Sequence, residues 1–375
     1  MAQLPVYENN QPYNDWGDYF PEDDEGDVTD FTEGVDGYSV RGGYPGPPCY
    51  PATVGEAIQS GGKSYRVEHK LGHGSFSTTW LAFEIETNTS VALKIHRTFT
   101  TAGQTESRIH QDLQRLIPDP SHCHLIFSTS IFSLPGQFPD DTHVVVVLPV
   151  TGPDLKTFMD ITDRNVMIGL IPGALDQGPT PSERYKQVGR PEKFSLPLCT
   201  FSTKTAFLGD FGLTRRIESP ATDPCLPPET CCPPELLHEG SESTYKSDMW
   251  GFMCVFTTLM AGFNPFTGWS DSSTLGSMFE MLGPLPQEWE GRCEWPHHYP
   301  EEQRRKWHDH PRVPEDSLGD LLDRTREEDL GPRERELTLE VVHKGFRYQP
   351  SERISAQQPL DDESFWELVA IHGIE

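Results

Sequence analysis

A lysine sits inside an apolar strand pattern. Val91-Ala92-Leu93-Lys94 reads as part of a strand over Ser90–Arg97. A lone lysine on a strand is normally a solvated edge charge. Here the apolar flanks direct it toward a cleft. One strand earlier, Leu71-Gly72-His73-Gly74-Ser75-Phe76-Ser77 joins the predicted strands Tyr65–Leu71 and Ser77–Glu84. Two glycines let backbone N–H groups approach a phosphate closely. On its own the loop is equally well read as a tight hairpin turn. The loop gains weight from its position, with the cleft lysine following one strand later.

The rest of the chain adds carboxylates in a fixed order. Asp160-Ile161-Thr162-Asp163-Arg164-Asn165 sets an Asp and an Asn five residues apart. Asp210-Phe211-Gly212 follows the apolar stretch Thr205–Leu208, read as a buried strand, and suits Mg²⁺, a cation that takes oxygen ligands. Cys232-Pro233-Pro234-Glu235, Ser247-Asp248-Met249-Trp250-Gly251 and Pro350-Ser351-Glu352-Arg353 come later. Each fragment alone is weak evidence. Glu235 and Arg353 taken singly are two surface charges; their order and neighbours favour a buried pair.

Seven elements in this order resemble the protein kinases. Tyr65-Arg66-Val67-Glu68-His69-Lys70-Leu71-Gly72, Phe76-Ser77-Thr78-Thr79-Trp80-Leu81, Leu170-Ile171-Pro172 and Val188-Gly189-Arg190-Pro191 narrow the resemblance to the SR-protein kinase group of Ser/Thr kinases, and to fungal members of it. The resemblance covers residues 40–370. It implies an α+β bilobal fold, with ATP and Mg²⁺ as cofactors and Ser/Thr phosphorylation in Arg-rich protein segments. The expected organisation is an acidic disordered tail at 1–40, an N-terminal extension at 41–64, a β-rich lobe at 65–151 and an α-rich lobe at 152–375.

Roles follow residue by residue from the resemblance. Asp160 accepts the substrate hydroxyl proton; Asn165 and Asp210 hold metal; Lys94 pairs with phosphates. Leu71, Gly72, His73, Gly74, Ser75, Ser77, Thr79, Ala92, Pro149 and Thr151 line the nucleotide, with Leu148 as gatekeeper and the Thr151 N–H as hinge donor. Glu106 is the candidate partner of Lys94, with Asp112 competing. Asp248 anchors the catalytic loop, and Glu235 pairs with Arg353.

One departure from the pattern is large. Thr151 and Asp160 are nine residues apart, where kinases place several tens of residues including a long helix. Phe158-Met159 replace the usual His-x before the Asp, and Thr162 stands in for a common Lys. A form that has lost a coding segment, a degraded pseudokinase serving as a binding or scaffold protein, and a compensated active kinase are the alternatives.

Charge bounds the partners. The 375 residues carry a formal net charge of −28. The first 40 residues hold 11 Asp or Glu and neither Lys nor Arg. Direct nucleic-acid binding is not expected, since phosphate contacts need a basic face. A basic, Arg/Ser-rich protein partner is the natural reading. Among apolar runs none reaches the ~18 residues a membrane span needs. The eight cysteines include no CxxC pair and read as reduced thiols. A cytoplasmic and/or nuclear monomer is expected. Helices are predicted at Gln104–Leu116, Lys246–Met260, Leu337–Phe346 and Glu363–His372, and a buried strand at Thr142–Leu148. Residues 280–335, Pro- and Glu-rich, give no clear pattern.

Overall fold

The computed structural model describes residues 40–41, 44–45, 49–74, 76–98, 100–119, 122–136, 141–152, 166–170, 174, 202–214, 227, 229–237, 243–268, 270–292, 308, 318–326 and 330–373. The chain divides into two compact units. One comprises residues 1–158 and 164–215, the other 159–163 and 216–375. The first is rich in sheet and the second in helix.

In the first unit, β1 (Val40–Arg41) and β2 (Tyr44–Pro45) form a short ladder. The main sheet follows: β3 (Ala57–Ser60), β4 (Lys63–His73), β5 (Ser77–Glu84), β6 (Thr89–His96), β7 (Ser130–Pro135) and β8 (Thr142–Pro149). Its order is β3-β4-β5-β6-β8-β7, antiparallel throughout. Regular structure begins before Tyr65. Gly61 and Gly62, at φ of 58° and 82°, close a two-residue turn that folds β3 onto β4. Both φ values lie where glycine is the least strained residue.

The two-residue period of a strand decides which side chains reach which side. On β6, Val91, Leu93 and Ile95 join Tyr65, Val67, Trp80, Val145 and Val147 in one apolar cluster. Ala92, Lys94 and His96 alternate with them and so point to the opposite face. Val145, Val146 and Val147 are all fully buried, as the unbroken apolar run on β8 requires. Helix α1 (Ala102–Leu116) starts two residues before the predicted Gln104 and packs on β8.

Two further strands, β9 (Val166–Leu170) and β10 (Ser202–Leu208), pair antiparallel. Leu208 N–H donates to His124 O at 2.8 Å, and Ile126 N–H donates to Leu208 O at 2.9 Å. The expectation of a buried strand before Asp210 needs correction. β10 has one partner strand, alternates between half-buried and exposed positions, and leaves Leu208 exposed. Among the described residues no helix lies between β8 and β9. The nine-residue interval to Asp160 falls largely outside them.

The second unit contains α2 (Tyr245–Ala261), α3 (Asp271–Leu282), α4 (Leu318–Thr325), α5 (Pro332–Gly345) and α6 (Glu363–Ile371). Helix α2 is bounded by local chemistry. Thr244 and Ser247 form a capping box at its start, and Gly262, at φ 77°, closes its end. Helix α5 begins at Pro332, five residues before the predicted Leu337, because proline suits the first helical turn. The stretch 280–335 therefore holds α4, a 3-10 turn at Gln287–Trp289 and the start of α5. Trp250 of α2 is fully buried, stacked on Phe266 at 5.1 Å and edge-on to Phe346 at 4.8 Å. Met253, Cys254, Leu275, Met278, Val341 and Val342 complete this core. No helix among the described residues is long and apolar enough to cross a membrane.

Trp250→Ala empties the centre of that core. We expect a loss of about 3–5 kcal/mol, read as a lower urea midpoint for the helical unit.

Candidate nucleotide and metal site

The lysine singled out in the sequence is buried. Lys94 lies mid-sheet, opposite Thr79 of β5 and Val146 of β8. Its Nζ stands 3.0 and 2.8 Å from the two oxygens of Glu106 and 2.6 Å from Asp210 Oδ1. Asp112 instead pairs with Arg115, one turn along α1. Glu106 has no solvent exposure.

Helix α1 delivers Glu106 because Gly103 lets it come close. A Cβ at Gly103 would stand 2.8 Å from the His96 ring and 2.9 Å from Val144 Cβ. Glu106, three residues on, shares that face. Two histidines close around it. His96 Nε2 is 3.0 Å from Glu106 Oε2, and His110 Nε2 is 3.6 Å from Oε1. Sequence reasoning passed over both. The signal was present: His96 shares the strand face of Lys94, and His110 is four residues from Glu106 on one helix face.

Burial on its own would raise the Glu106 carboxyl. The neighbouring His110 and His96 rings and the charge of Lys94 outweigh it and hold the group well below the usual carboxylate range. For Lys94 burial works to discharge the amine, but Glu106 and Asp210 together raise it above the ordinary lysine value.

Asp210 contrasts with Glu106. Its side chain is 53% exposed, so it can accept a cation from solvent while touching Lys94. Its φ of 58° is left-handed, and Gly212 N–H donates to its Oδ1 at 3.3 Å. Phe211 is buried edge-on against His110, with ring centroids 5.4 Å apart. A half-exposed carboxylate beside a buried ammonium is a donor set that fits Mg²⁺ and phosphate together.

The loop beside this cluster is ordered by pairing. Gly72 and His73 of β4 sit opposite Thr79 and Thr78 of β5, and Gly74 N–H donates to Ser77 O at 2.8 Å. Open space lies where a Cβ on Gly72 or Gly74 would stand. Leu71 lies in the same stretch near the end of β4, and Ser77 is buried. Ala92 pairs with Leu148 and Val91 with Pro149, so the predicted adenine-side residues share one end of the sheet. Thr151 follows β8, and Gly152 N–H donates to Ile168 O at 2.7 Å. Ser75, Asp160 and Asn165 lie outside the described residues.

In the helical unit, Arg353 donates to both oxygens of Glu235, at 3.0 and 2.9 Å. Both residues are buried. Ser247 Oγ donates to Glu235 Oε1 at 2.8 Å. Arg353 also reaches the carbonyls of Lys246 and Arg347, and its guanidinium lies 5.0 Å from the Trp250 ring. The ion pair thereby has its remaining donors satisfied. Asp248 is exposed in the first turn of α2, and the loop it was expected to anchor falls outside the described residues.

Glu106→Gln tests the first unit by pH. With its folded carboxyl depressed, wild-type Glu106 contributes stability that is complete above the unfolded glutamate value of ~4.3 and is lost as pH falls toward the folded one. Thermal melts from pH 7 to pH 3 should show wild type losing more stability than the Gln variant. For the second unit, Glu235→Gln leaves Arg353 buried beside a neutral amide. A loss of about 3–5 kcal/mol is expected in chemical denaturation.

A protein kinase domain profile matches residues 198–365. Cyclin-dependent kinase 17 of Caenorhabditis elegans is 27% identical over 244 residues, 64% of this chain and 35% of that protein. Protein kinase dsk1 of Schizosaccharomyces pombe is 33% identical over 137 residues, 35% of this chain and 23% of the relative. Serine/threonine-protein kinase SRPK of Physarum polycephalum is 31% identical over 146 residues, 38% and 30% respectively. The chain thus spans about a third or less of the length of these relatives. With a sheet-rich unit carrying the buried lysine, a helical unit carrying the Glu235–Arg353 pair and a protein kinase domain match over residues 198–365, the chain is similar to the protein serine/threonine kinases.

Proposed function

We propose that the chain binds ATP with Mg²⁺ and transfers phosphate to serine in Arg-rich protein segments, in the manner of the SR-protein kinases. The observation that carries this reading is the Lys94–Glu106–Asp210 cluster beside the Gly72–Gly74 loop. Bound ATP supplies the phosphoryl group, and Mg²⁺ offsets its charge. Lys94, held by Glu106, positions the phosphates. Asp210 and Asn165 hold metal. Asp160 orients the substrate hydroxyl and takes its proton. Leu148, Pro149 and Thr151 border the adenine. The net charge of −28 favours a basic peptide by raising its encounter rate. The partial likeness to the Physarum polycephalum protein named SRPK supports the substrate class.

A second reading is specifically favoured by the spacing of Thr151 and Asp160, nine positions apart. Phosphoryl transfer depends on positioning to within about an ångström. A loop without its supporting helix would keep the ligands and lose their alignment. The chain would then bind nucleotide without turnover and act as a scaffold.

Two measurements separate these readings. Phosphate transfer from ATP to an Arg-Ser repeat peptide, abolished by Asp160→Ala, supports the kinase; transfer that survives this substitution overturns the role of Asp160. A thermal shift with ATP and Mg²⁺, absent in Lys94→Met and unaccompanied by transfer, supports the scaffold.

A further inference from the structure

Three thiols meet at the junction of a 3-10 turn and α2 in the helical unit, and the kinase reading uses none of them. Cys231 ends the turn Glu229–Cys231, which packs on α2. Cys254 lies in the middle of α2 and is 1% exposed, within the apolar core that Cys231 packs against. The Cys231 thiol lies close enough to that of Cys254 to help push it up. Cys232 is turned elsewhere, its thiol donating to Pro233 O at 3.8 Å. None of the three is in a disulfide.

Their surroundings differ in a useful way. Cys231 is half-buried, whereas Cys254 is 1% exposed. Burial pushes the Cys254 thiol well up and shelters it from direct contact with a dissolved oxidant. An outer thiol backed by a sheltered one is the arrangement in which an oxidised sulfur is captured by its neighbour before it oxidises further.

We propose that Cys231 and Cys254 form an oxidation site for hydroperoxides, with Cys231 oxidised first and Cys254 resolving it to a disulfide. The Cys231 sulfur attacks a peroxide oxygen: an S–O bond forms, the O–O bond breaks, and the departing hydroxide takes the thiol proton to leave as water. The Cys254 sulfur then attacks the Cys231 sulfur. An S–S bond forms, the S–O bond breaks, and the hydroxyl leaves with the Cys254 proton as a second water. Two thiols lose two electrons in total, and one hydrogen peroxide is reduced to two waters. The bond ties the stretch just ahead of Glu235 to the helix beneath it.

The test uses the full chain, reduced and then exposed to hydrogen peroxide. Remaining thiols are alkylated and the protein is cleaved after glutamate without reduction. This cleavage places Cys231 and Cys232 on the fragment 230–235, apart from Cys225. The expected product joins that fragment to the one carrying Cys254, two hydrogens lighter than their sum, and reduction reverses it. The link should persist in Cys232→Ser and vanish in Cys231→Ser. Both substitutions leave the buried Cys254 intact, so the readout does not depend on a core variant folding. A Cys231–Cys232 link, a link that needs Cys232, Cys231 carried to sulfinic acid with Cys254 still alkylatable on unfolding, or no oxidation at all would each overturn the proposal.

Discussion

The sheet-rich unit is organised by the need to bury an ammonium group. Taking such an ion from water costs several kcal/mol even after relaxation. Lys94 can sit mid-sheet because a carboxylate with no solvent exposure is brought to it from outside the sheet. That requirement fixes the approach of α1, and the approach requires a glycine where the helix meets His96 and Val144. A helix and a strand that could otherwise pack in several registers are thereby held in one.

The helical unit applies the same rule with a different cation. Arg353 offers five donors in a planar fork, so one carboxylate cannot satisfy it. Glu235 takes two of its N–H groups, and backbone carbonyls at Arg347 and Lys246 take others. Trp250 covers the guanidinium face. The aromatic core and the ion pair are consequently one object: the ring that stacks on Phe266 is the ring beside the charge.

How much of this was legible varied with the range of the determining interaction. β5 was read to the residue and α2 to within one at each end, since alternation and end-capping are written locally. β3 was missed because four residues show little period, although Gly61-Gly62 marked its turn. β7 was missed because it is defined by pairing with β8, and pairing is not local. β10 misled for a related reason. Its apolar residues looked like a buried strand, but a two-stranded ribbon leaves one side open. At the site, the residue types around Lys94 could be listed, yet the choice of Glu106 over Asp112 depends on how α1 packs. His96 and His110 went unread because neither lies in a motif; they are found only by asking what else shares the faces of Lys94 and Glu106.

Asp210 combines a left-handed backbone with a charged contact. Most side chains resist that conformation; glycine accepts it, and aspartate and asparagine are next in tolerance. The backbone therefore screens substitutions at this position before chemistry does. Of the three residues it admits readily, only one carries the negative charge that faces Lys94. A single-step drift to asparagine or glycine would leave the fold's geometry at ease while silencing the charge. The position is one where loss of chemistry can be nearly invisible to folding.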